Sequence, residues 1–336
     1  MKTKKIKIAL IATSGGHFEQ LSNLSDFYNE YLHFWITNKN QQTISELKNE
    51  KVYFVKAGHF KRPWTYLPHL LFFFTVFKNE KPTHILSTGS GRTGFLAFYF
   101  SKLFKIKFIY IDTFSRVNNM SIFGKFLIRS GLKIYTQWEN KTNDKAEYIG
   151  PVFRSNILEN ISEKEFNYIF VTLGTRNEQF IRLIKAIEQL KKRGVITKTI
   201  KVQAGFTKYK SDVMEIFDFC SQKEIDELIC NSEFVITQES AGVVTKCLKM
   251  KKRFIVMPRD YSFGELPTKS DMKEDLQYKL EEMGYTKVVN SAEQMEAAIN
   301  NIKEIKLGYP FDNNLAIKKL NKLVENSYEG ILYNEK

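Results

Sequence analysis

Short apolar, β-branched runs alternate with helix-length amphipathic stretches along almost the whole chain. This alternation predicts repeated strand–helix units, and therefore an α/β fold with parallel sheets. The pattern stops at a polar and charged passage, residues 150–164, and restarts near Phe166. The chain has 336 residues, about twice the ~150 residues of one domain, so we expect two domains.

We place these domains at residues 1–155 and 156–336 and expect two doubly wound, Rossmann-like sheets facing a cleft. The last helix belongs to the second of these sequence ranges, and packing of this helix back on the first domain is the alternative. Ligands of such sheets bind outside the carboxyl ends of the strands, so the following loops are the candidate sites. The predicted strands are residues 6–12, 33–37, 52–56, 84–88, 107–112 and 133–137, then 168–173, 199–203, 214–217, 234–237, 253–257 and 287–289.

The composition excludes several classes of protein. With 43% hydrophobic and 14% aromatic residues, the chain can bury cores and is not disordered. Its three cysteines have no Cys-x-x-Cys spacing, which argues against a disulfide framework or a cysteine zinc site. No apolar run reaches the ~18 residues of a membrane span, and the start lacks the pattern of a signal peptide. We expect a cytoplasmic location, peripheral on the inner face of the cell membrane.

Most of the net charge of +14 lies in the first half of the chain. Residues 1–160 carry 23 Lys and Arg against 11 Asp and Glu, whereas residues 161–336 carry 28 against 26. A basic surface attracts nucleic acid, anionic lipid or phosphorylated substrates, and a general preference for lysine codons is the alternative explanation. No zinc-finger, RNA-recognition or basic-zipper pattern is visible, so we expect no nucleic-acid partner.

The first predicted strand ends in Ser14-Gly15-Gly16-His17. Two glycines allow a tight turn close to a ligand, and the start of the following helix offers N–H groups and a positive dipole end, which suit an anion. The helix terminus disfavours a charged imidazole, so His17 could accept a proton. A tight turn that merely exposes a histidine is an equally good interpretation of this segment alone.

The fourth predicted strand leads into Gly89-Ser90-Gly91-Arg92. This segment lacks the context of a dinucleotide-binding fingerprint, and the chain has no Walker lysine motif. A dehydrogenase and a P-loop nucleotidase are therefore disfavoured.

Three loops of the second half could hold a phosphorylated ligand. Gly174-Thr175 follows its first strand, with Asn177 placed to cap the next helix, and Gln238-Glu239-Ser240-Ala241-Gly242 leads from a later strand into a helix, as in a phosphate seat. After the next strand, Arg259 could offset phosphate charge, while Gly264-Glu265 could bind ribose or sugar hydroxyls.

A metal site is not indicated. No two aspartates stand two residues apart, so the Asp-x-Asp clamp of many nucleotide-sugar enzymes is missing. The five histidines show no i, i+4 pair or zinc spacing. Phosphate charge would then be met by backbone amides and arginines, and we expect no metal and no cofactor.

The most apolar segment, residues 63–77, is aromatic and has basic residues on both sides. Pro68 fits the first turn of a helix of about three turns. An apolar helix with basic flanks can lie in the interface of a bilayer, which makes residues 61–81 a candidate contact with an anionic membrane surface. The alternative is a helix buried between the sheet and a neighbour.

Taken together, the loops resemble the bacterial capsular and exopolysaccharide glycosyltransferases of the GT-B fold. Their nearest eukaryotic relative is the two-subunit enzyme that adds the second N-acetylglucosamine to dolichol pyrophosphate. The first half resembles its membrane-recruiting acceptor subunit and the second half its donor-binding subunit, so the chain looks like a fusion. The resemblance is carried by residues 14–17, 87–91, 110–117, 137–139 and 148–152 of the first half, and by residues 171–175, 258–259 and 264–265 of the second.

The chain departs from that pattern in the donor loop. Where the family usually has His-Ala-Gly-Ala-Gly-Ser, this chain has Gln238-Glu239-Ser240-Ala241-Gly242-Val243. Lys246 replaces a usual glutamate, the His-Gln pair after Gly264-Glu265 is missing, and Asp112 stands where a glutamate is common. These differences predict a rebuilt donor pocket.

The resemblance implies an inverting, metal-independent glycosyltransferase of capsule, exopolysaccharide or O-antigen synthesis. It would move a sugar from a nucleotide-sugar, UDP being the expected nucleotide, to a lipid-pyrophosphate-linked saccharide. His17 is the first candidate for the base and Asp112 the second. Arg116 is the first candidate to bind the acceptor's pyrophosphate, and Arg92 is the second. The alternative is a membrane-recruited scaffold that has lost transfer and positions a partner enzyme.

Overall fold

The computed structural model describes residues 6–55, 66–88, 91–153, 166–269, 272, 275–308 and 310–333. The chain divides into two compact units. The first unit is Met1–Phe114 with Asn118–Arg154 and Phe311–Lys336, and the second is Ser115–Val117 with Ser155–Pro310. The expected boundary at residues 155–156 lies outside the described residues.

The first unit contains a parallel five-stranded sheet of order β3-β2-β1-β4-β5 and a parallel pair, β6-β7. A single parallel bridge from Ile111 to Tyr135 joins this pair to the end of β5. The strands are β1 (Lys7–Ile11), β2 (Leu32–Asn38), β3 (Val52–Val55), β4 (His84–Ser87), β5 (Lys107–Tyr110), β6 (Ile134–Thr136) and β7 (Ala146–Tyr148). The helices are α1 (Gly16–Ser22), α2 (Ser25–Tyr28), α3 (Gln41–Glu46), α4 (Tyr66–Glu80), α5 (Gly91–Leu103) and α6 (Ile122–Arg129), with α12 (Asn314–Tyr333) from the end of the chain.

The second unit contains a parallel six-stranded sheet of order β10-β9-β8-β11-β12-β13, the doubly wound order in which the chain reverses direction at the first strand. The first unit has the same order over its first five strands. The strands are β8 (Tyr168–Thr172), β9 (Thr199–Gln203), β10 (Glu215–Phe217), β11 (Val235–Thr237), β12 (Phe254–Val256) and β13 (Lys287–Val288). The helices are α7 (Ile181–Lys192), α8 (Gln222–Asn231), α9 (Ala241–Lys249), α10 (Leu276–Glu282) and α11 (Ala292–Asn300).

Central strands are buried on both faces and therefore appear in the sequence as continuous apolar runs. All four residues of β4 and the last four of β1 are buried. The core of the first unit is rich in aromatic rings, and Phe73 of α4 lies parallel to Phe100 of α5 with ring centroids 6.0 Å apart. Aliphatic side chains of α7 fill the corresponding layer of the second unit.

The last helix, α12, packs on the first unit. Ala316, Leu320 and Val324, which lie four residues apart along the helix, are fully buried. Its polar contacts reach β7, β4 and the turn before β2: Lys319 donates to the Tyr148 carbonyl oxygen, Ser327 Oγ lies 2.7 Å from His84 Nε2, and Tyr31 donates to Asn321.

Candidate functional site

The carboxyl ends of β1 and β4 meet where the strand order of the first unit reverses, the position at which open α/β sheets bind ligands. Gly15 has a φ of +89°, a conformation that L side chains rarely adopt, and a Cβ at Gly15 or Gly16 would meet open space. His17 is tied to the end of β4, because the Thr88 hydroxyl donates to its carbonyl oxygen at 2.7 Å. The predicted turn and its histidine therefore lie at the reversal point.

Burial favours the neutral form of the His17 ring. Overall the residue is half-buried, but its Nδ1 atom is shielded from solvent. Burial lowers the pKa of the imidazole, against a hydrogen bond with the Thr88 backbone and the charge of Asp112. The cause differs from our expectation, which relied on the helix terminus.

Two buried amides fix the helix that carries His17. Gln20 donates to the Gly16 carbonyl oxygen at 3.1 Å, and its Oε1 accepts from the Phe114 N–H and from Gln137 Nε2. Gln137 donates further to the Asp112 carbonyl oxygen at 2.9 Å. The hydrogen bond between Gln20 and Gln137 was not predicted from the sequence, since 117 residues separate the two.

The Asp112 side chain points into the core of the first unit, which corrects its expected role as a second base. It is fully buried, and its Oδ2 lies 3.2 Å from Nζ of the equally buried Lys141 and accepts from the Ser121 N–H. A carboxylate enclosed in this way offers no exposed oxygen to an acceptor hydroxyl. Asp112 is a structural partner of Lys141, which leaves His17 as the candidate base.

The other acceptor-side residues are described only in part. Gly89, Ser90 and the side chain of Arg92 lie outside the described residues, whereas Gly91 begins α5 with a φ of +70°. Arg116 belongs to Ser115–Val117, a segment of the second unit. Asp275 holds this segment, because its carboxylate accepts from the Val117 N–H and its own N–H donates to the Ser115 carbonyl oxygen.

In the second unit, the strand order reverses at β8, and the carboxyl ends of β8 and β11 meet. Gly174 follows β8 with a φ of +71°, and a Cβ there would collide with the Gln238 side-chain amide. Only glycine fits this position. The loop then continues to Phe180, and α7 begins at Ile181, so Asn177 does not cap the helix as we expected.

Arg259 joins the carboxyl ends of three strands. Its guanidinium donates to Gln238 Oε1, to the Leu173 carbonyl oxygen at 3.0 Å and to the Glu178 carbonyl oxygen at 2.8 Å. Its backbone N–H donates to Glu239 Oε2 at 2.8 Å. Arg259 is 2% exposed, so its main interactions are internal. The proposal that it offsets phosphate charge stays a prediction.

Glu265 is likewise bound within the protein. Arg182 of α7 donates to both of its carboxylate oxygens, from Nε at 3.1 Å and from Nη2 at 2.7 Å, and the Asp260 N–H donates to Oε2. Gly264 forms the preceding turn with a φ of +70°. Like Gln20 and Gln137, Arg182 was not singled out from the sequence, because its carboxylate partner is distant along the chain.

The predicted donor loop leads into α9 as expected. Ser240 is the N-cap residue, but its side chain makes no capping bond, and Ala241 and Gly242 form the first turn. Burial raises the pKa of the neighbouring Glu239 carboxyl, against the Arg259 N–H bond and the charge of Arg176. The altered Lys246 pairs with Asp226 of α8 at 2.5 Å.

No family model matches the sequence, and no curated protein matches it. Solved structures do match. MurG of Acinetobacter baumannii has a TM-score of 0.58 at 13% identity, over 98% of this chain and 99% of that one. The UDP-GlcNAc 2-epimerase of Methanocaldococcus jannaschii, solved with UDP-GlcNAc and UDP, has a TM-score of 0.64 at 15% identity, over 96% and 100%. A glycosyltransferase of Rickettsia africae has a TM-score of 0.56 at 14% identity, over 96% and 98%.

The fold is GT-B. The expected fold class, with two Rossmann-like parallel sheets, is thereby confirmed. GT-B neighbours of this chain include both glycosyltransferases and epimerases, so the fold class covers sugar transfer and sugar epimerisation. The expected fusion of two transferase subunits stays a prediction.

In this GT-B chain, the described residues contain no cluster of three or more His, Cys, Asp or Glu side chains able to hold a metal ion. No helix within the described ranges is long and apolar enough to cross a bilayer. The candidate donor site of the second unit contains glycine turns, the start of α9 and the buried Arg259.

Proposed function

We propose that the protein is a glycosyltransferase that binds a nucleotide-sugar, with UDP as the expected nucleotide, on its second unit. The observation that carries this proposal is the rigid reversal point of that unit. There Gly174 is packed on Gln238 and the start of α9 lies beside it, both fixed by Arg259. A GT-B neighbour solved with UDP-GlcNAc and UDP supports a nucleotide-sugar ligand.

The proposed reaction is an inverting transfer. An acceptor hydroxyl attacks the anomeric carbon, the new C–O bond forms as the bond to the phosphate oxygen breaks, and the nucleoside diphosphate leaves. His17 takes the proton of the hydroxyl, for which its neutral imidazole is suited. Backbone amides at Ala241 and Gly242, with Thr175, stabilise the charge of the leaving diphosphate. The N–H groups of Ser240 and Gly174 already donate to the Gln238 carbonyl oxygen and to Thr172 Oγ1, so these two residues shape the loops instead.

We place a lipid-pyrophosphate-linked saccharide as the acceptor and an anionic bilayer as the surface on which the protein works. Three neighbouring helices of the first unit support this part. Phe74 of α4 contacts Phe104 next to α5, and Phe95 of α5 contacts Phe126 of α6, with centroids 5.6 and 4.7 Å apart. Their outward apolar side chains, between 37% and 66% exposed, are Leu67, Leu71, Phe74, Tyr99, Leu103, Ile122 and Phe126.

The charges beside this three-helix surface suit anionic lipid. Lys78, Lys102, Lys125 and Arg129 are exposed on the same helices. Glu80 is the one acidic residue of the three helices; it is buried and bound to Lys7 and Lys51. Apolar side chains ringed by cations are typical of a bilayer interface. The expected contact within residues 61–81 extends by this proposal to α5 and α6; residues 61–65 lie outside the described part.

The deciding experiment is a donor screen. Purified protein is incubated with UDP- and CMP-linked sugars and a short synthetic lipid-pyrophosphate acceptor, and the product is read by mass and anomeric configuration. A glycosylated acceptor of inverted configuration is expected. The scaffold alternative, which the altered donor loop motivates, predicts no product and no nucleotide binding in a parallel calorimetric titration. A donor converted to its epimer, without transfer, would instead make the protein a sugar epimerase.

A further inference from the structure

Arg176 is a cation on the loop that follows β8. Among the residues that the structure describes, Arg176 has no hydrogen-bonding or ion-pairing partner, and it is half-buried. The other two arginines near this end of the sheet differ, because Arg182 is bound to Glu265 and Arg259 to three carbonyl oxygens and Gln238. The Arg176 guanidinium is therefore available to a ligand.

Glu239 presents an unsatisfied acceptor at the same place. It is 9% exposed, and while its Oε2 accepts from the Arg259 N–H, its buried Oε1 has no partner among the described residues. Two residues earlier, at the end of β11, the buried hydroxyl of Thr237 also lacks a described partner. Arg176 and Glu239 lie on the loops that follow the paired strands β8 and β11, and the charge of Arg176 acts on the Glu239 carboxyl, so the two groups lie near each other.

Arg176 and Glu239 favour different groups on a ligand: an anion beside Arg176 and a hydrogen-bond donor beside Glu239. A buried carboxylate oxygen without a donor is destabilising, so a ligand that enters should supply an O–H or N–H. An ionised diphosphate has no such hydrogen and is repelled by the carboxylate, whereas it pairs well with a guanidinium. A molecule that carries both a diphosphate and hydroxyl groups satisfies both residues.

We infer that Arg176 binds the diphosphate of the donor and that Glu239 accepts a hydroxyl group of the same donor molecule. The pair then selects a nucleotide-sugar over a bare phosphate compound. This inference rests on the proposed function, since it assigns residues of the proposed donor site.

The test is calorimetric titration of the full-length protein with inorganic diphosphate, UDP and UDP-GlcNAc. Arg176→Gln should weaken binding of all three by about tenfold or more, and Arg176→Lys by less. Arg193→Gln is the matched control, because Arg193 lies at the exposed end of α7 in a surface pair with Glu296. Equal effects of Arg176→Gln and Arg193→Gln would overturn the role of Arg176.

Glu239→Ala should shift affinities in opposite directions. Without the carboxylate, inorganic diphosphate should bind several-fold more tightly. The ligand whose hydroxyl group Glu239 binds in the wild type should no longer bind more tightly than diphosphate. Loss of the UDP advantage identifies a ribose hydroxyl, and loss only of the UDP-GlcNAc advantage identifies a sugar hydroxyl. Glu239→Gln keeps an acceptor and should retain more of the advantage. Equal changes for all three ligands would refute the role of Glu239.

The wild-type titration separates this inference from the proposed function. If the wild-type protein binds nucleotides and neither variant changes the affinities, this inference is wrong and the proposed function stands. The protein could instead bind diphosphate through Arg176 but show no preference for nucleotides. That result would refute the nucleotide-sugar function and the role of Glu239, and it would leave Arg176 as an anion site. Absence of binding by all three probes overturns both. Glu233→Ala, at an exposed pair with Lys198, controls for the loss of a carboxylate.

Discussion

His17 lies on the turn after β1, where Thr88 fixes its backbone and burial lowers the pKa of its ring. His17→Ala should reduce turnover by about 10²–10⁴-fold because the proton acceptor is lost, while UDP binding in calorimetry stays unchanged. The active, neutral form persists below the ordinary pKa of 6.5, so the acid limb of the kcat/KM profile should fall only below that value. Turnover at the wild-type level in His17→Ala, or a midpoint above 6.5, would remove His17 from the mechanism.

Asp112 and Lys141 form an ion pair in the core of the first unit, with side chains 0% and 3% exposed. Asp112→Asn leaves the Lys141 ammonium buried without its counter-ion, which should lower the free energy of unfolding by about 3–5 kcal/mol in urea titrations. Replacing both partners, with Lys141→Met added, should recover much of that loss. Glu227→Gln, which breaks an exposed pair with Lys223, should cost no more than about 1 kcal/mol. An equally small cost for Asp112→Asn would contradict the structural assignment.

Residues that act through distant partners are the ones that the sequence could not predict. The glycine turns at Gly15 and Gly174 were visible because two or three local residues determine them. Arg182 was not visible, because its role depends on the Glu265 carboxylate, which lies 83 residues away in the sequence. Asp112 was a candidate base only through the resemblance, and whether its side chain faces a ligand or the core depends on packing that the local sequence does not determine.

At the scale of elements, helices α4, α5 and α6 form the proposed membrane surface of the first unit. Leu71→Asp combined with Leu103→Asp places two charges among its exposed apolar side chains. Binding to vesicles containing anionic lipid, measured by co-sedimentation, should fall at least tenfold. Ile44→Asp, on the exposed side of α3, is the matched control and should leave binding unchanged. Unaltered sedimentation of the double variant would exclude this surface.

The elements themselves were largely predictable. Each predicted strand overlaps an observed one, because strands buried on both faces need continuous apolar runs. Strand β7 was missed, since Ala146–Tyr148 is short and half polar. Helix α4 has 15 residues, one turn more than expected, and the inward side of its aromatic surface packs in the core while the outward side is exposed. Periodicity alone did not separate the two sides.

For the whole molecule, the division into two units predicts separate responses to core mutations. Phe311 packs against Phe114 and Trp138 of the first unit, with centroids 5.0 and 5.8 Å apart, whereas Ile305 is buried in the second. Phe311→Ala should therefore reduce amide hydrogen-exchange protection in β1, β4 and β5, and Ile305→Ala in β8 and β11. Mass spectrometry of peptides from both units gives the pattern. Uniform loss of protection in both variants would show that the units unfold together.

The return of α12 to the first unit makes the folding of that unit depend on distant parts of the chain. Lys319 bonds to Tyr148 and Asn321 to Tyr31, which lie 171 and 290 positions earlier in the sequence. Because most of the second unit lies between these partners, α12 can dock only by closing a very long loop, and contacts of that kind form slowly. The first unit should therefore gain its last native contacts late in refolding.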